Sequence, residues 1–173
     1  MNNDNITMNK LAEHLRREHS HLMRYACYRL GDADEAKDAL QDAYLKVCSK
    51  LSNEKSSEVK DWRNYVFRTL SNICTSRLSM SSRIKIIPLD TCLDMPDLPT
   101  ENNEADYQRI ARLLAGIPEE QAEVIRLRMY GNNSFADVAE ILSLPLPTVK
   151  SRFLYGLEKI RKAIKQTKNN IKK

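Results

Sequence analysis

The sequence predicts an all-α chain of two small helical domains joined by an extended acidic linker. Three observations carry that prediction. Apolar residues recur at helical spacing over most of the chain. Glycine, proline and aromatic residues are scarce, at four, six and 6% of 173 residues, too few for an all-β fold rich in tight turns. Charge is also partitioned along the chain, at +2 over 1–78, −4 over 79–106 and +7 over 107–173. That split matters more than the overall +5, because it separates a basic C-terminal part from an acidic middle.

The first part, residues 1–80, reads as three helices. Leu11, Leu15, Leu22, Ala26 and Leu30 keep one face of the first, and Gly31 ends it. Asp32 is placed to cap the second. Ala36, Ala39, Leu40, Ala43, Tyr44, Val47 and Leu51 form its apolar stripe. After a loop over 52–60, a third helix starts near Asp61. Trp62, Val66, Phe67, Leu70, Ile73, Cys74 and Leu78 share one arc of it. Asn64, Arg68, Ser71, Asn72 and Thr75 fall opposite and are expected to be exposed. Arg77 lies within the apolar arc and is expected to snorkel at the helix end.

Residues 81–106 hold Pro88, Pro96 and Pro99 and lose helical periodicity after Ile87, so they read as a linker. Residues 107–173 read as four helices with a basic tail. One covers about 104–115 and stops at Gly116. The next starts at Pro118 and runs to Tyr130. Ser134-Phe135-Ala136-Asp137 resembles a capping box with Asp in the place of Glu, and opens a short helix to about Leu142. After the turn Ser143-Leu144-Pro145-Leu146, Pro147 starts a long helix with Val149, Phe153, Leu157, Ile160 and Ile164 inward. From Lys165 the tail is expected to fray.

Several classes of function are disfavoured at once. No apolar run reaches the roughly 18 residues of a membrane span. Residues 1–10 lack the apolar core of a signal peptide, so a cytosolic protein is expected. Cys27, Cys48, Cys74 and Cys92 form no Cys-x-x-Cys pair, and the first three read as small core residues. His14, His19 and His21 lack the carboxylate or thiol partners of a metal site, and no metal or cofactor is expected. No Gly-rich loop or paired catalytic group suggests an enzyme.

Two constellations carry chemistry. Two helices joined by a four-residue turn have helix-turn-helix geometry. The second offers Thr148, Lys150, Ser151, Arg152 and Tyr155 away from its apolar stripe. Nine basic residues and one acid follow from Thr148 onward, the footprint of a polyanion ligand. The second helix of the first part carries Asp34, Glu35, Asp38, Gln41 and Asp42. The helix dipole favours the first two but not Asp42, more than two turns in. A solvated acidic face or a docking face for a basic partner are both open readings. On the third helix, Arg68, Asn72 and Thr75, with Trp62 and Tyr65 at its start, could read or stack on unpaired bases. The place of Trp62 in the apolar arc favours a core role for it, while Tyr65 projects nearer the polar edge.

These stretches are similar to sigma-70 family factors of bacterial RNA polymerase, in the extracytoplasmic-function subgroup. Residues 31–44, GDADEAKDALQDAY, resemble the acidic signature of region 2. Trp62-Arg63-Asn64-Tyr65 through Asn72 resembles its Trp-Leu-x-x-Ile-Ala-x-Asn helix. Ile117-Pro118, residues 126–130, Phe135-x-x-Val138-Ala139 and residues 148–152 resemble landmarks of region 4. The resemblance implies a non-catalytic subunit that docks on core polymerase through Asp38, Gln41 and Asp42. It implies minus-ten recognition around Asn72 and minus-thirty-five recognition by the helix-turn-helix. The acidic linker then threads the polymerase near the RNA path, and an anti-sigma protein is an expected partner. The chain departs from the pattern at Ser76, Ser79, Ser143, Pro147 and Tyr155. Two other readings stay open at this point: a stand-alone helix-turn-helix regulator, and a helical adaptor whose basic tail is incidental.

Overall fold

The computed structural model describes residues 3–52, 59–80 and 112–171. Every regular element among them is a helix. The first three are α1 (Asn3–Leu30), α2 (Ala33–Leu51) and α3 (Trp62–Met80). Then come α4 (Glu119–Met129), α5 (Phe135–Leu142) and α6 (Leu146–Ile171). Residues 112–115 form a further helical turn. The acidic linker expected over 81–106 and Cys92 lie outside the described residues.

The sequence punctuation works locally. Gly31 takes φ 77°, a left-handed value that closes α1 and that a side chain would disfavour. The Asp32 side chain then accepts from the amides of Asp34 and Glu35, each at 2.9 Å, and caps α2. Asp61 does the same for α3, accepting from the Asn64 amide at 3.1 Å.

α1, α2 and α3 each pack on the other two. Leu22, Tyr25, Leu40, Val47, Val66, Phe67 and Leu70 are fully buried between them. Cys27 and Cys74 are buried and Cys48 is half-buried. Burial, and then the Glu123 carboxylate, push the Cys74 thiol up to about 12, so it is an inert core group. Arg77 does not simply reach solvent. It pairs with Asp42 at 2.6 Å and ties the end of α3 to α2.

In the second half, α4 and α5 both pack on α6. Ser134 and Asp137 complete the capping box. Ser134 Oγ accepts from the Asp137 amide at 3.1 Å, and Asp137 Oδ2 accepts from the Ser134 amide at 2.9 Å. Burial works against the charge on Asp137. The Ser134 hydroxyl and amide, Asn64 and Arg63 outweigh it and hold the carboxyl below the usual aspartate range. A group depressed on folding contributes stability that is present above its unfolded value, about 3.9, and is lost as pH falls through the lower folded value. Ser134→Ala is expected to cost about 1 kcal/mol in urea unfolding at pH 7. That cost should shrink as Asp137 is protonated. A pH-independent difference would contradict the coupling.

α6 departs from its expected pattern in three ways. It begins at Leu146 rather than Pro147. It continues to Ile171, past the point where fraying was expected, because no Gly or Pro follows Gly156. Leu157 is 38% exposed and not inward. The closest approach is instead at Gly156, where an added Cβ would lie 2.8 Å from Ile125 Cδ1. The absent side chain lets α6 lie close on α4, and turns the neighbouring Leu157 aside.

The halves are not separate. α5 lies on α3, and α4 meets α1. Val124, Leu127, Val138, Ile141 and Val149 join the same apolar cluster as the first three helices. Tyr28 stacks on Tyr130 with ring centroids 3.9 Å apart.

Candidate nucleic-acid and partner interfaces

The acidic face of α2 is built by the burial of its opposite side. Ala36, Ala39, Leu40, Ala43 and Val47 anchor the helix, which leaves Asp34, Asp38, Gln41 and Asp42 exposed. Glu35 is half-buried at the rim. Asp34 is exposed and lies 3.5 Å from Lys37. Asp42 is the exception, because Arg77 neutralises it in part. Leu45 stands 63% exposed one turn beyond Gln41 and Asp42. The sequence carried a faint signal for it, since Leu45 falls outside the stripe of Ala43 and Val47. An exposed leucine among carboxylates is an apolar anchor inside a charged patch.

The polar face of α3 is only partly open. Asn72 and Thr75 are exposed as expected. Asn64 and Ser71 are not, at 2% and 7% exposure. Asn64 Nδ2 donates to Glu140 at 3.0 Å and to Asp137 at 3.2 Å, and Ser71 Oγ donates to Glu123 at 3.0 Å. Arg68 is half-buried, with Nε donating to the Ile141 carbonyl at 3.1 Å and Nη2 to that of Glu140. The physical reason is tertiary: α4 and α5 cover this face, which helical periodicity within α3 cannot reveal. At the start of α3, Trp62 and Tyr65 are half-buried and meet edge to face at 5.8 Å.

The helix-turn-helix is formed by α5 and α6. Ser143 turns the chain at φ 54° and ψ 44°, a left-handed position usually given to glycine. The Leu144 amide donates to the Ala139 carbonyl at 2.9 Å and closes the turn. Phe135 and Phe153 meet edge to face at 5.1 Å and fix the helix pair. Lys150 and Tyr155 are exposed. Thr148, Ser151 and Arg152 are half-buried. Ser151 Oγ donates to the Thr148 carbonyl at 2.9 Å, and Arg152 pairs with Glu120 at 2.7 Å. Lys162 lies 2.9 Å from Glu158 and lowers its pKa, so the one acid of this helix leaves little negative charge uncompensated.

Among the described residues, no three His, Cys, Asp or Glu side chains gather to hold a metal. No described helix is long and apolar enough to cross a membrane.

The assembly is therefore that of an all-helical protein with an acidic docking helix in one half and a basic helix-turn-helix in the other. Comparison with known proteins gives the family. The family described as Sigma-70 region 2 matches residues 12–84, and that described as Sigma-70, region 4 matches residues 113–162. The extracytoplasmic-function (ECF) RNA polymerase sigma factor SigM of Mycobacterium tuberculosis is 32% identical over 139 residues, spanning 79% of this chain and 68% of that protein. SigW of Bacillus subtilis, another ECF sigma factor, is 25% identical over 162 residues, spanning 80% and 81%. Two solved structures share the fold. One is the sigma factor RpoE with the anti-sigma factor NepR from Bartonella quintana, with TM-score 0.64, 22% identity and coverage of 90% of this chain and 97% of that one. The other is CnrH with the cytosolic domain of CnrY, with TM-score 0.65, 17% identity and coverage of 92% and 90%. The chain belongs to the sigma-70 family and is a sigma factor of its ECF group.

Proposed function

We propose that this sigma factor docks on core RNA polymerase through α2 and brings two DNA-reading elements to the promoter. Asp38, Gln41 and Asp42 form the centre of the docking face, with Asp34 and Glu35 at its rim. Trp62, Tyr65, Arg68, Asn72 and Thr75 read the minus-ten element. Thr148, Lys150, Ser151, Arg152 and Tyr155 read the minus-thirty-five element. Residues 1–80 and 107–173 are the two functional domains, and 81–106 is the acidic linker between them. The linker shares the sign of the RNA it must yield to. The chain performs no chemistry itself, acts in the cytoplasm with the polymerase, and is held in check by an anti-sigma protein.

The observation that carries this reading is the exposed face of α2. Asp34, Asp38, Gln41 and Asp42 all stand exposed on it, with Asp34 near Lys37 and Asp42 paired with Arg77. Like charges at i, i+4 repel by a few tenths of a kcal/mol, so folding alone does not favour them. A basic partner does. Leu45 adds apolar area within the same patch. Leu45→Ala is expected to weaken polymerase binding by about tenfold, or about 1.4 kcal/mol, with the urea midpoint unchanged. Equal affinity in a competition assay against the native chain would remove Leu45 from the interface.

DNA binding by the free chain is expected to be weak and salt-dependent. Lys150, Arg152 and the basic run after Lys159 contact phosphates, and each contact releases counterions. Log affinity should fall linearly with log salt concentration, with a slope near −0.9 per phosphate contact. A flat salt profile in fluorescence anisotropy would contradict phosphate-dominated binding.

A further inference from the structure

Leu154 stands 63% exposed on α6 and Tyr155 beside it 59%. Single exposed leucines are common on protein surfaces, so exposure alone means little. Position is what sets this one apart. Leu154 belongs neither to the apolar stripe expected for this helix nor to its row of polar donors. Val149 and Gly156 are buried and mark the inner side of α6. At about 100° per residue, Pro147, Ser151 and Leu154 fall opposite them. Lys150 falls to one side of that line and Arg152 to the other. The first turns of the second helix of a helix-turn-helix are the part that meets base edges. Leu154 is therefore the largest side chain at the centre of that face.

The neighbours of Leu154 leave the centre without a charged donor. Pro147 has no polar side-chain group, and Ser151 Oγ already donates to the Thr148 carbonyl at 2.9 Å. Glu120 of α4, 2.7 Å from Arg152, draws that guanidinium aside, and Lys150 is exposed on the other flank. The two cations straddle the face, where the phosphates on either side of a major groove lie. Each base presents its own edge in that groove. Guanine offers two acceptors, adenine an acceptor and a donor, cytosine a donor, and thymine a carbonyl and a C5 methyl group. Leucine neither donates nor accepts. Laid on guanine, adenine or cytosine, it covers polar groups and leaves them unpaired, which costs free energy. Laid on the thymine methyl, it buries apolar surface on both sides.

We propose that Leu154 is a specificity-determining residue that selects a thymine in the minus-thirty-five element through its C5 methyl group. The inference rests on the reading of α6 as the DNA-recognition helix. Lys150 and Arg152 supply affinity through phosphates, and Leu154 supplies preference among sequences. The Phe135–Phe153 contact and the Ser143 turn fix α6 on α5, so Leu154 meets the same base position in each complex.

The test uses the full chain and duplex DNA with a block of randomised base pairs between fixed flanks, at low salt. Repeated capture and sequencing with the native chain should enrich thymine at one position. Leu154→Ala should lose that enrichment and keep the preferences at the other positions. Leu154→Arg should exchange thymine for guanine there, because a guanidinium forks onto O6 and N7 of guanine. The side chain is exposed, so neither change opens a cavity. On the selected sequence, that thymine is then replaced by deoxyuridine, which lacks only the methyl group. Native binding should weaken about fourfold in fluorescence anisotropy, the effect of one buried methyl. Leu154→Ala should not distinguish the two duplexes. Equal affinity of the native chain for both, or the same enrichment by Leu154→Ala at every position, would overturn the proposal. Loss of binding to core polymerase by Leu154→Ala with DNA selection unchanged would overturn it too, and assign Leu154 to a protein interface. A native chain that selects thymine through Leu154 but supports no initiation with core polymerase would strike the sigma reading and leave the role of Leu154 standing.

Discussion

Replacing Asp38 and Asp42 together by arginine is expected to abolish binding to core RNA polymerase and to leave the α1–α3 bundle folded. Both side chains are exposed on α2, so neither change opens a cavity. The reversal replaces two favourable charge contacts by two repulsive ones across an interface, a loss of several kcal/mol. Asp42→Arg also sets two guanidinium groups side by side, because Arg77 lies 2.6 Å from the native carboxylate. That exposed pair is worth about 1 kcal/mol or less, so the fold survives its loss. The check is co-purification with core polymerase beside a urea melt. Unchanged affinity would refute the docking face. Unfolding would show instead that the Asp42–Arg77 pair carries more stability than its exposure suggests.

Phe67→Ala is expected to give the largest loss of stability of any single truncation considered. Phe67 is fully buried, with its ring edge against Tyr25 at 6.3 Å and Arg63 stacked at 5.0 Å from its centroid. Gly131 comes close to the same ring, since an added Cβ there would lie 3.0 Å from Cε1. Phe67 therefore supports the α1–α3 core and the seam between the halves. Truncation removes a large apolar side chain and leaves a cavity that helices on several sides cannot collapse into, at about 3–5 kcal/mol. Chemical denaturation at neutral pH measures it. A loss below about 1 kcal/mol would mean that the seam is absent in solution and that Phe67 relaxes freely.

Much of the fold was legible because its determinants are local. Gly31, Asp32 and the Ser134–Asp137 box act within one turn of their own helices, and residue type alone specifies that chemistry. The stripes of α1, α2 and α3 were legible because one buried face repeats at helical spacing. The acidic face of α2 and the basic helix of the helix-turn-helix were visible for the same reason. The misreadings share one physical origin, a partner distant in sequence. Asn64, Arg68 and Ser71 have the composition of a solvated face, yet α4 and α5 supply carboxylates and carbonyls that satisfy them. Arg77 looked like a stray charge in an apolar arc until Asp42 was opposite it. Leu157 fitted the stripe of α6, but Gly156 sets the true line of approach to α4. Glu123 gave no local sign of burial, because its partners Tyr25, Arg29 and Ser71 come from α1 and α3.

The same distinction bears on function. Residues that present chemistry outward, such as Asp38, Gln41 and Lys150, can be found from spacing and charge. Residues that join the two halves, such as Asn64, Ser71 and Glu123, lie in the seam and need the fold.

Run-off transcription tests the central claim most directly, with purified core RNA polymerase, a genomic DNA library as template, and this chain added or withheld. The account predicts transcripts from defined start sites only when the chain is present, sharing sequence elements upstream at the minus-ten and minus-thirty-five positions. No initiation and no binding to core polymerase, with DNA binding retained, would contradict it.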